Sequence, residues 1–413
     1  MESSLKNIIK NRDLVILVLG QFISKLGSGI NGIGLTLYVL KFNNAILGLG
    51  LLAILLKIPW IILGPFAGII ADKHSKKYII IFCDIARGIL EILLFLSSNQ
   101  FEFYLLVFLI TLLDVLFAPS VNGILPFIVK KEEIKYATSM YASSGMVAFL
   151  IGPAIGGILV GLLDCKSVFL INGISYILSG ISEAFIRNKG KVIKEKESKS
   201  PFIEIKEGII YAKEHKNVGF IIIFFAFVSI ALGALPIVYI KFIKNDLGAS
   251  DGMYGFFNTI NGLGILLGSF LIPKLLRRWS EINLMIKGTC IYGILFIVFV
   301  SLKIIPYNLS VFFLIGISIS FINVSYDIFI QKEVEKEFIG RVFSLDITLS
   351  NVVMIISIIA VMLIGDTVSN TLMIFILSIL LIIMSILGSL KFKKINNVEI
   401  SDRRGNFARD KNI

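Results

Sequence analysis

The chain has 413 residues, 56% of them hydrophobic and only 16% charged, with a mean hydropathy of +0.89. Soluble domains carry about 25% charged residues, so most of this surface must face lipid, and an ordinary soluble enzyme is excluded. The formal net charge of +12 would suit nucleic acid in a soluble protein, but the placement of the basic residues, given below, assigns it to membrane topology.

The first apolar run, 14–40, follows Lys6, Lys10 and Arg12. It is too long for a signal-peptide core, and no small-x-small cleavage site follows it, so it reads as an uncleaved membrane helix. Further runs able to cross about 30 Å of hydrocarbon fall at 45–71, 78–98, 103–126, 138–163, 167–186, 218–240, 253–275, 283–303, 308–330, 345–365 and 370–390. That makes twelve spans, divided six and six by a polar segment at 187–216. The expected organisation is an N-terminal six-helix bundle over 1–186, a cytoplasmic linker over 187–216, a second bundle over 217–390 and a polar, disordered tail over 391–413. Apolar residues Phe202, Ile205, Ile209 and Ala212 between charges predict a short amphipathic helix in the linker, on the membrane surface or simply solvated.

Even-to-odd connections carry Lys73/Lys76/Lys77, Lys130/Lys131/Lys135, the lysine-rich linker, Lys274/Arg277/Arg278 and Lys332/Lys336/Arg341. Odd-to-even connections hold only Lys41, Lys166, Lys241, Lys244 and Lys303. By the positive-inside rule both termini are cytoplasmic. No nucleic-acid surface is needed to explain the charge. Cys83, Cys165 and Cys290 lack CxxC spacing, and His74 and His215 lie in polar segments. The chain therefore reads as having no metal site, disulfide framework or intramembrane histidine relay.

At an offset of 200 residues, Gly64-x-x-x-Gly68 aligns with Gly264-x-x-x-Gly268 and Lys77 with Arg277, whereas Asp72 aligns with Ile272. Duplicated halves are what a rocking transporter requires. The stretch Gly68-x-x-Ala71-Asp72-Lys73-x-x-Lys76-Lys77 resembles the loop signature G-x-x-x-D-R/K-x-G-R/K-R/K of the major facilitator superfamily, with Ser75 in place of the second glycine. Gly152-Pro153-x-x-Gly156-Gly157 is similar to the G-P-x-x-G-G motif of its exporters. "FAPSVNGILPFIV" at 117–129, Asn172 in "FLINGISY" and "GRVFS" at 340–344 are similar to the branch that holds macrolide efflux proteins and other drug or lipid exporters. The fourth span lacks the arginine used by many proton-driven members and holds Asp114 instead.

The resemblance implies an all-α protein of twelve transmembrane helices in two bundles. It further implies that the acid equivalent to Asp72 latches the cytoplasmic side by engaging the start of span 11, where Asp346 would repel it unless Arg341 or Lys73 intervenes. Asp72 ends its own span, where a carboxylate opposes the helix dipole, and so calls for a foreign partner. Span 5, as the exporter motif of the family, is expected to pack closely on the other half.

Ionisable groups at membrane depth each need a reason. Lys25 and Asp114 fall near the middle of spans 1 and 4 and are expected to pair, so that protonating Asp114 would release Lys25. The alternatives are a static ion pair or two separately hydrated groups. Asp84, Arg87 and Glu91 share one face of span 3. Arg87 is expected to satisfy Asp84 as a packing pair, leaving the deeper Glu91 as a second proton carrier. Glu183 reads as a pair with Arg187, Asp346 as an acid at the positive end of span 11, and Asp327 as a gate or cap. Phe224, Phe225, Phe227 and Tyr239 on span 7, with Phe321, Asn323 and Tyr326 on span 10, are the substrate-cavity candidates, suited to a hydrophobic or cationic compound.

The expected function is proton-coupled efflux of hydrophobic compounds such as macrolides across the bacterial cytoplasmic membrane. The protein is read as a monomer without bound cofactor, using the proton gradient as its energy source. With no G-x-x-x-x-G-K-S/T loop, ATP does not drive it. The alternatives are transport of an endogenous lipid, siderophore or metabolite, and a non-transporting membrane sensor. A membrane enzyme would need a nucleophile–base or metal constellation, which the sequence does not show.

Overall fold

The computed structural model describes residues 10–42, 45–188, 201–335, 337–365 and 367–410. Lys6, Lys336 and the lysines of 189–200 lie outside this set, as do the side chains of Phe202 and Ile205. The helices are α1 Arg12–Leu40, α2 Ala45–Leu55, α3 Ile58–Lys73, α4 Lys76–Leu96, α5 Gln100–Ile128, α6 Ile134–Leu162 and α7 Cys165–Ala184. They continue with α8 Pro201–Glu214, α9 Lys216–Lys241, α10 Asp251–Leu275, α11 Glu281–Ser301, α12 Ile305–Glu333, α13 Ile339–Ile364 and α14 Asn370–Asp410.

Helix starts follow the side chains available. Asn11 accepts from the Leu14 amide, Asn99 from Glu102, Asp164 from Ser167 and Ser280 from Asn283. The Ser167 amide holds the Asp164 carboxyl below the usual carboxylate range. The second predicted span is two helices, α2 and α3, because Pro59 near the start of α3 cannot supply an amide to the turn before it. At the other end of the chain, α14 continues helically to Asp410 through the segment expected to be disordered.

Among the described residues, eleven helical segments are long and apolar enough to cross a membrane. The helix at the third predicted span, α4, is absent from that set because Asp84, Arg87 and Glu91 interrupt its apolar run. Its polarity is inverted. Asp84, Arg87 and Glu91 are 0%, 4% and 1% exposed, whereas Phe82 and Leu96 on the same helix are 64% and 63% exposed. Such a helix hides its charges inside a bundle and offers its apolar face to lipid.

The chain divides into two compact units, Met1–Pro201 with Ile243–Thr259, and Phe202–Phe242 with Ile260–Ile413. In the first, α1 packs on α6 and α7, α4 on α7 and α5, and α3 on α5. Small residues let these helices approach. A Cβ on Gly156 would stand 2.7 Å from the Ile30 carbonyl oxygen of α1, and one on Gly157 would stand 2.9 Å from Cα of Gly255 on α10. The glycines of α6 thus serve two neighbours at once, while Pro153 interrupts its hydrogen bonding.

In the second unit α11 packs on α12 and α14, and α9 on α13 and α14. The linker helix α8 sits against the start of α13: Tyr211 stacks on Phe338 at 4.7 Å, and Arg341 pairs with Glu207 at 2.9 Å. Its packed face runs through Gly208 and Tyr211, the latter also stacked on His215 just beyond the helix, and is displaced from the face expected through Ile209 and Ala212. Ile209 is exposed.

The internal repeat is a repeat of sequence more than of packing. Gly268 presses on Ile317 and Ser320 of α12, whereas a Cβ on Gly64 or Gly68 would meet nothing within 4 Å. Gly156→Val is therefore expected to destabilise the protein by ~1–3 kcal/mol, and Gly68→Ala to stay within about 0.5 kcal/mol of wild type. Thermal unfolding of the purified variants in detergent measures both; equal shifts would contradict this packing.

Candidate functional site

Three polar stripes meet inside the first unit. On α1, Gln21, Ser24, Ser28 and Asn31 recur at intervals of three and four; on α7 so do Asn172, Ser175, Ser179 and Glu183. The Asp84, Arg87 and Glu91 stripe of α4 is the third. Helical spacing puts each set on one face, and Asn172, Ser179 and Glu183 are wholly buried. Close approach is secured where α4 crosses α7. There Cβ atoms on Gly88 and Gly173 would each lie within 2.9 Å of the other's carbonyl oxygen.

Arg87 is the centre of the cluster. Its guanidinium donates to Asp84 on its own helix and to Asp114 on α5. It also lies 4.0 Å from the Phe117 ring and 4.4 Å from that of Tyr176. The expected pair with Asp84 is present, but Arg87 also takes Asp114. The expected pairing of Lys25 with Asp114 is therefore not formed. The Lys25 ammonium lies instead over the Tyr141 ring, 3.5 Å from its centroid. A planar guanidinium with five donors can bridge two carboxylates, whereas the ammonium of Lys25 is directed across Gly145 of α6 to Tyr141.

Glu183 is not the surface partner of Arg187. It is fully buried and accepts from Gln21 Nε2 at 2.8 Å, while the Arg187 amide donates to Asp13 at 3.1 Å. Gln21 also reaches Asp84 and Ser179, each at 3.4 Å. Glu91 lies deeper along α4. Asn31 and Asn172 both donate to its Oε1 at 2.8 Å, and its Oε2 is buried without a hydrogen-bond partner. Two carboxyl groups, Asp84 and Asp114, thus contact the guanidinium, and two more, Glu91 and Glu183, are buried in the same bundle on amide donors. Gln21 and Asn31, which hold two of these acids, were not among the sequence candidates. The repeated polar spacing within an apolar span was the signal for them.

The loop after α3 is more built than its lysines alone suggested. Lys76 is 3% exposed, donates to the Ala71 carbonyl and pairs with Asp72, both at 3.2 Å. Lys77 donates to the carbonyls of Ala184 and Ile186 at 2.7 and 2.6 Å, closing the end of α7. Lys73 ends α3. Asp72 thus has a local partner where a foreign one was expected, with its side chain still 57% exposed. Arg341, likewise expected at the latch, is engaged by Glu207.

The second unit scatters the substrate-cavity candidates. Phe224 and Phe227 line a groove of about 330 Å³ between α9 and α14, and Phe227 also borders one of about 480 Å³ between α9 and α13. Tyr326 is buried and stacks on Phe225 at 4.4 Å; Asn323 is exposed on α12 and lines neither groove. Asp346 is buried inside α13, not placed in its first turn, and accepts from Ser350 at 3.1 Å. Asp327 is exposed.

Long apolar helices with charged groups confined to the inside of a bundle define a multi-pass membrane protein, and intramembrane charge clusters of this kind belong to proteins that move solutes or ions. The sequence profile of the Major Facilitator Superfamily matches residues 17–358, and the chain belongs to that family of membrane transporters. It is 25% identical over 349 residues to the MFS-type transporter YfiS of Bacillus subtilis, covering 82% of this chain and 83% of that one. It is 23% identical to macrolide efflux protein A of Streptococcus pyogenes, over 84% and 88% of the two chains. It is 24% identical to multidrug resistance protein MdtG of Escherichia coli, over 68% and 69%. Among solved structures, the nucleoside transporter NupG shares its fold with a TM-score of 0.75 at 16% identity, covering 92% of this chain and 99% of that one. A POT family transporter in complex with a thioalcohol-conjugated peptide gives 0.74 at 15% identity, over 93% and 96%.

Arg87→Gln should cost on the order of 3–5 kcal/mol, because it strands the buried Asp84 and takes the cation from the half-buried Asp114. Adding Asp84→Asn and Asp114→Asn should restore much of that loss. Thermal unfolding of the single and triple variants measures the difference, and a mild effect of Arg87→Gln alone would refute the central role of this ion cluster.

Proposed function

We propose that the protein is a proton-coupled secondary exporter of hydrophobic compounds, drugs of the macrolide kind among them, working by alternating access in a bacterial cytoplasmic membrane with both termini inside. The observation that carries the coupling is the excess of acid around Arg87. Asp84, Glu91 and Glu183 are buried and Asp114 is 35% exposed, so if all four were ionised, one guanidinium would leave three negative charges in the bundle, a buried one costing on the order of 2.5–3.5 kcal/mol. Protons are the counter-charge that removes this cost. Glu91 is the first choice of carrier, since its Oε2 has no hydrogen-bond partner and its two amide donors hold only Oε1. Asp114 is the second, because it shares Arg87 with Asp84 and can leave that pair without stranding the guanidinium.

The direction of transport is supported by the Gly152-Pro153-x-x-Gly156-Gly157 contact with α10 and by relatives named for macrolide efflux and multidrug resistance. We assign the stretch from Gly68 to Lys77 to a conformational latch, in which the exposed Asp72 exchanges partners while Lys76 and Lys77 hold the loop. Of the hydrophobic and cationic cargoes expected, the first is the better supported. A second reading, transport of an endogenous lipid or metabolite, is favoured by the cation of Lys25, which faces a cavity.

Expression in a drug-sensitive host, with macrolide accumulation followed with and without a protonophore, tests this function. Accumulation should fall when the protein is made and recover when the gradient is collapsed. Glu91→Gln and Asp114→Asn should each lower gradient-driven export at least about tenfold, equivalent to ~1.4 kcal/mol, while membrane levels of the protein hold. Asp72→Asn should slow transport without loss of thermal stability. Export by both acid variants at the wild-type rate would remove the coupling assignment, and unchanged accumulation in producing cells would remove drug efflux.

A further inference from the structure

A cavity of about 480 Å³ lies between α1, α6 and the first turns of α10, all within the first unit. Its polar lining is Lys25, Ser28, Thr36, Tyr254 and Asn258, with Phe149 among the apolar contacts. Lys25 is the one charged residue of that lining. Its side chain crosses α6 at Gly145, where a Cβ would stand 2.9 Å from Nζ, and so reaches the Tyr141 ring. A ring face satisfies an ammonium from one direction only, yet the group carries three N–H donors. Among the described residues no hydrogen bond or ion pair engages Nζ, and Asp114 is committed to Arg87.

An intramembrane cation normally faces a counter-charge or a polar pathway, and here what it faces is the cavity. The surroundings suit a small anionic group on an apolar body. Asn258 gives an amide hydrogen to the Tyr254 carbonyl at 2.9 Å, and its side chain also engages that of Tyr254, so the two form one polar patch of the wall. A Cβ on Gly32 would meet nothing within 4 Å, so this wall of α1 is open to an approaching ligand. Phe149, 52% exposed, supplies apolar surface. A single fixed charge matches a monoanion; a dianion or a cation is disfavoured.

We propose that this cavity binds the carboxylate of an amphiphilic organic monoanion, with Lys25 as its counter-charge and Phe149 against the apolar body. The inference rests on the transporter reading only in calling the ligand cargo. Binding itself requires no gradient.

Purified full-length protein in lipid nanodiscs, titrated with tritiated cholate and with its methyl ester, tests the site. The two probes share one steroid body and differ in charge. Wild type should bind the acid about ten- to hundredfold more tightly than the ester, the range of a charge-assisted hydrogen bond. Lys25→Gln and Lys25→Met should abolish that preference, and Lys25→Arg should keep it. Equal affinity of wild type for acid and ester, no saturable binding of the acid, or an undiminished preference in Lys25→Gln would each overturn the site. The wild-type comparison stands even where a variant folds poorly. Loss of cholate binding leaves drug export untouched, whereas cholate binding without gradient-driven export in cells would sink the export reading alone.

Discussion

The first unit is organised around a guanidinium that cannot be neutralised and has no access to bulk water. Arginine keeps its proton in proteins, so burying Arg87 obliges the surrounding helices to deliver negative charge at fixed positions. Asp84 comes from the same helix one turn away, and Asp114 from α5. Together they set the rotation of α4 about its axis, with charge inward and Phe82 and Leu96 outward. Rotating α4 by half a turn would place a charge in lipid and break both pairs. The packing of α5 and α7 on α4 depends on that orientation.

Long polar side chains and close helix contacts compete for the same space, and the glycines resolve the competition. Gly88 and Gly173 let α4 and α7 touch through their backbones, so that Asn172 reaches Glu91 at 2.8 Å. On α6, Gly145 lets Lys25 cross to Tyr141, while Gly156 and Gly157 bring in α1 and α10. Removing side chains from one face thus creates both the dry helix contact and the adjoining cavity. Low-dielectric surroundings strengthen every hydrogen bond in such a network and make each unpaired group more expensive. That is why an acid surplus beside Arg87 and a lone ammonium at Lys25 point to exchangeable partners, protons in one case and an anion in the other.

The basic loop after α3 combines two kinds of interaction. Lysine excess sets topology through long-range fields, which requires only that the charges be present. Lys76 and Lys77 go further, since one is buried against Asp72 and the other closes the carbonyl end of α7. Asp72, unfavourably placed for the dipole of α3, is offset by the cation one turn along, which leaves most of its carboxylate accessible. The carboxylate end of that contact, exposed and screened, is easily exchanged.

The amino-acid order by itself determined the apolar spans, the clustering of basic residues in alternate loops and the motifs that mark the family, because each depends on local composition or on residues adjacent in the chain. The Asp84–Arg87 pair was legible for the same reason: an i, i+3 spacing is a short-range geometry. The partner of Asp114 was not legible. Lys25 and Arg87 lay on different helices, and only the rotation of α1 and α4 about their own axes decided between them. Glu183 read as an end-of-helix pair until α1 brought Gln21 against it, and the linker face shifted by one residue when Tyr211 found Phe338. Sequence thus decided where the apolar spans fall and in which loops the basic residues concentrate. The tertiary structure decided which buried charges meet, since helix rotation and close approach are set by packing between segments far apart in the chain.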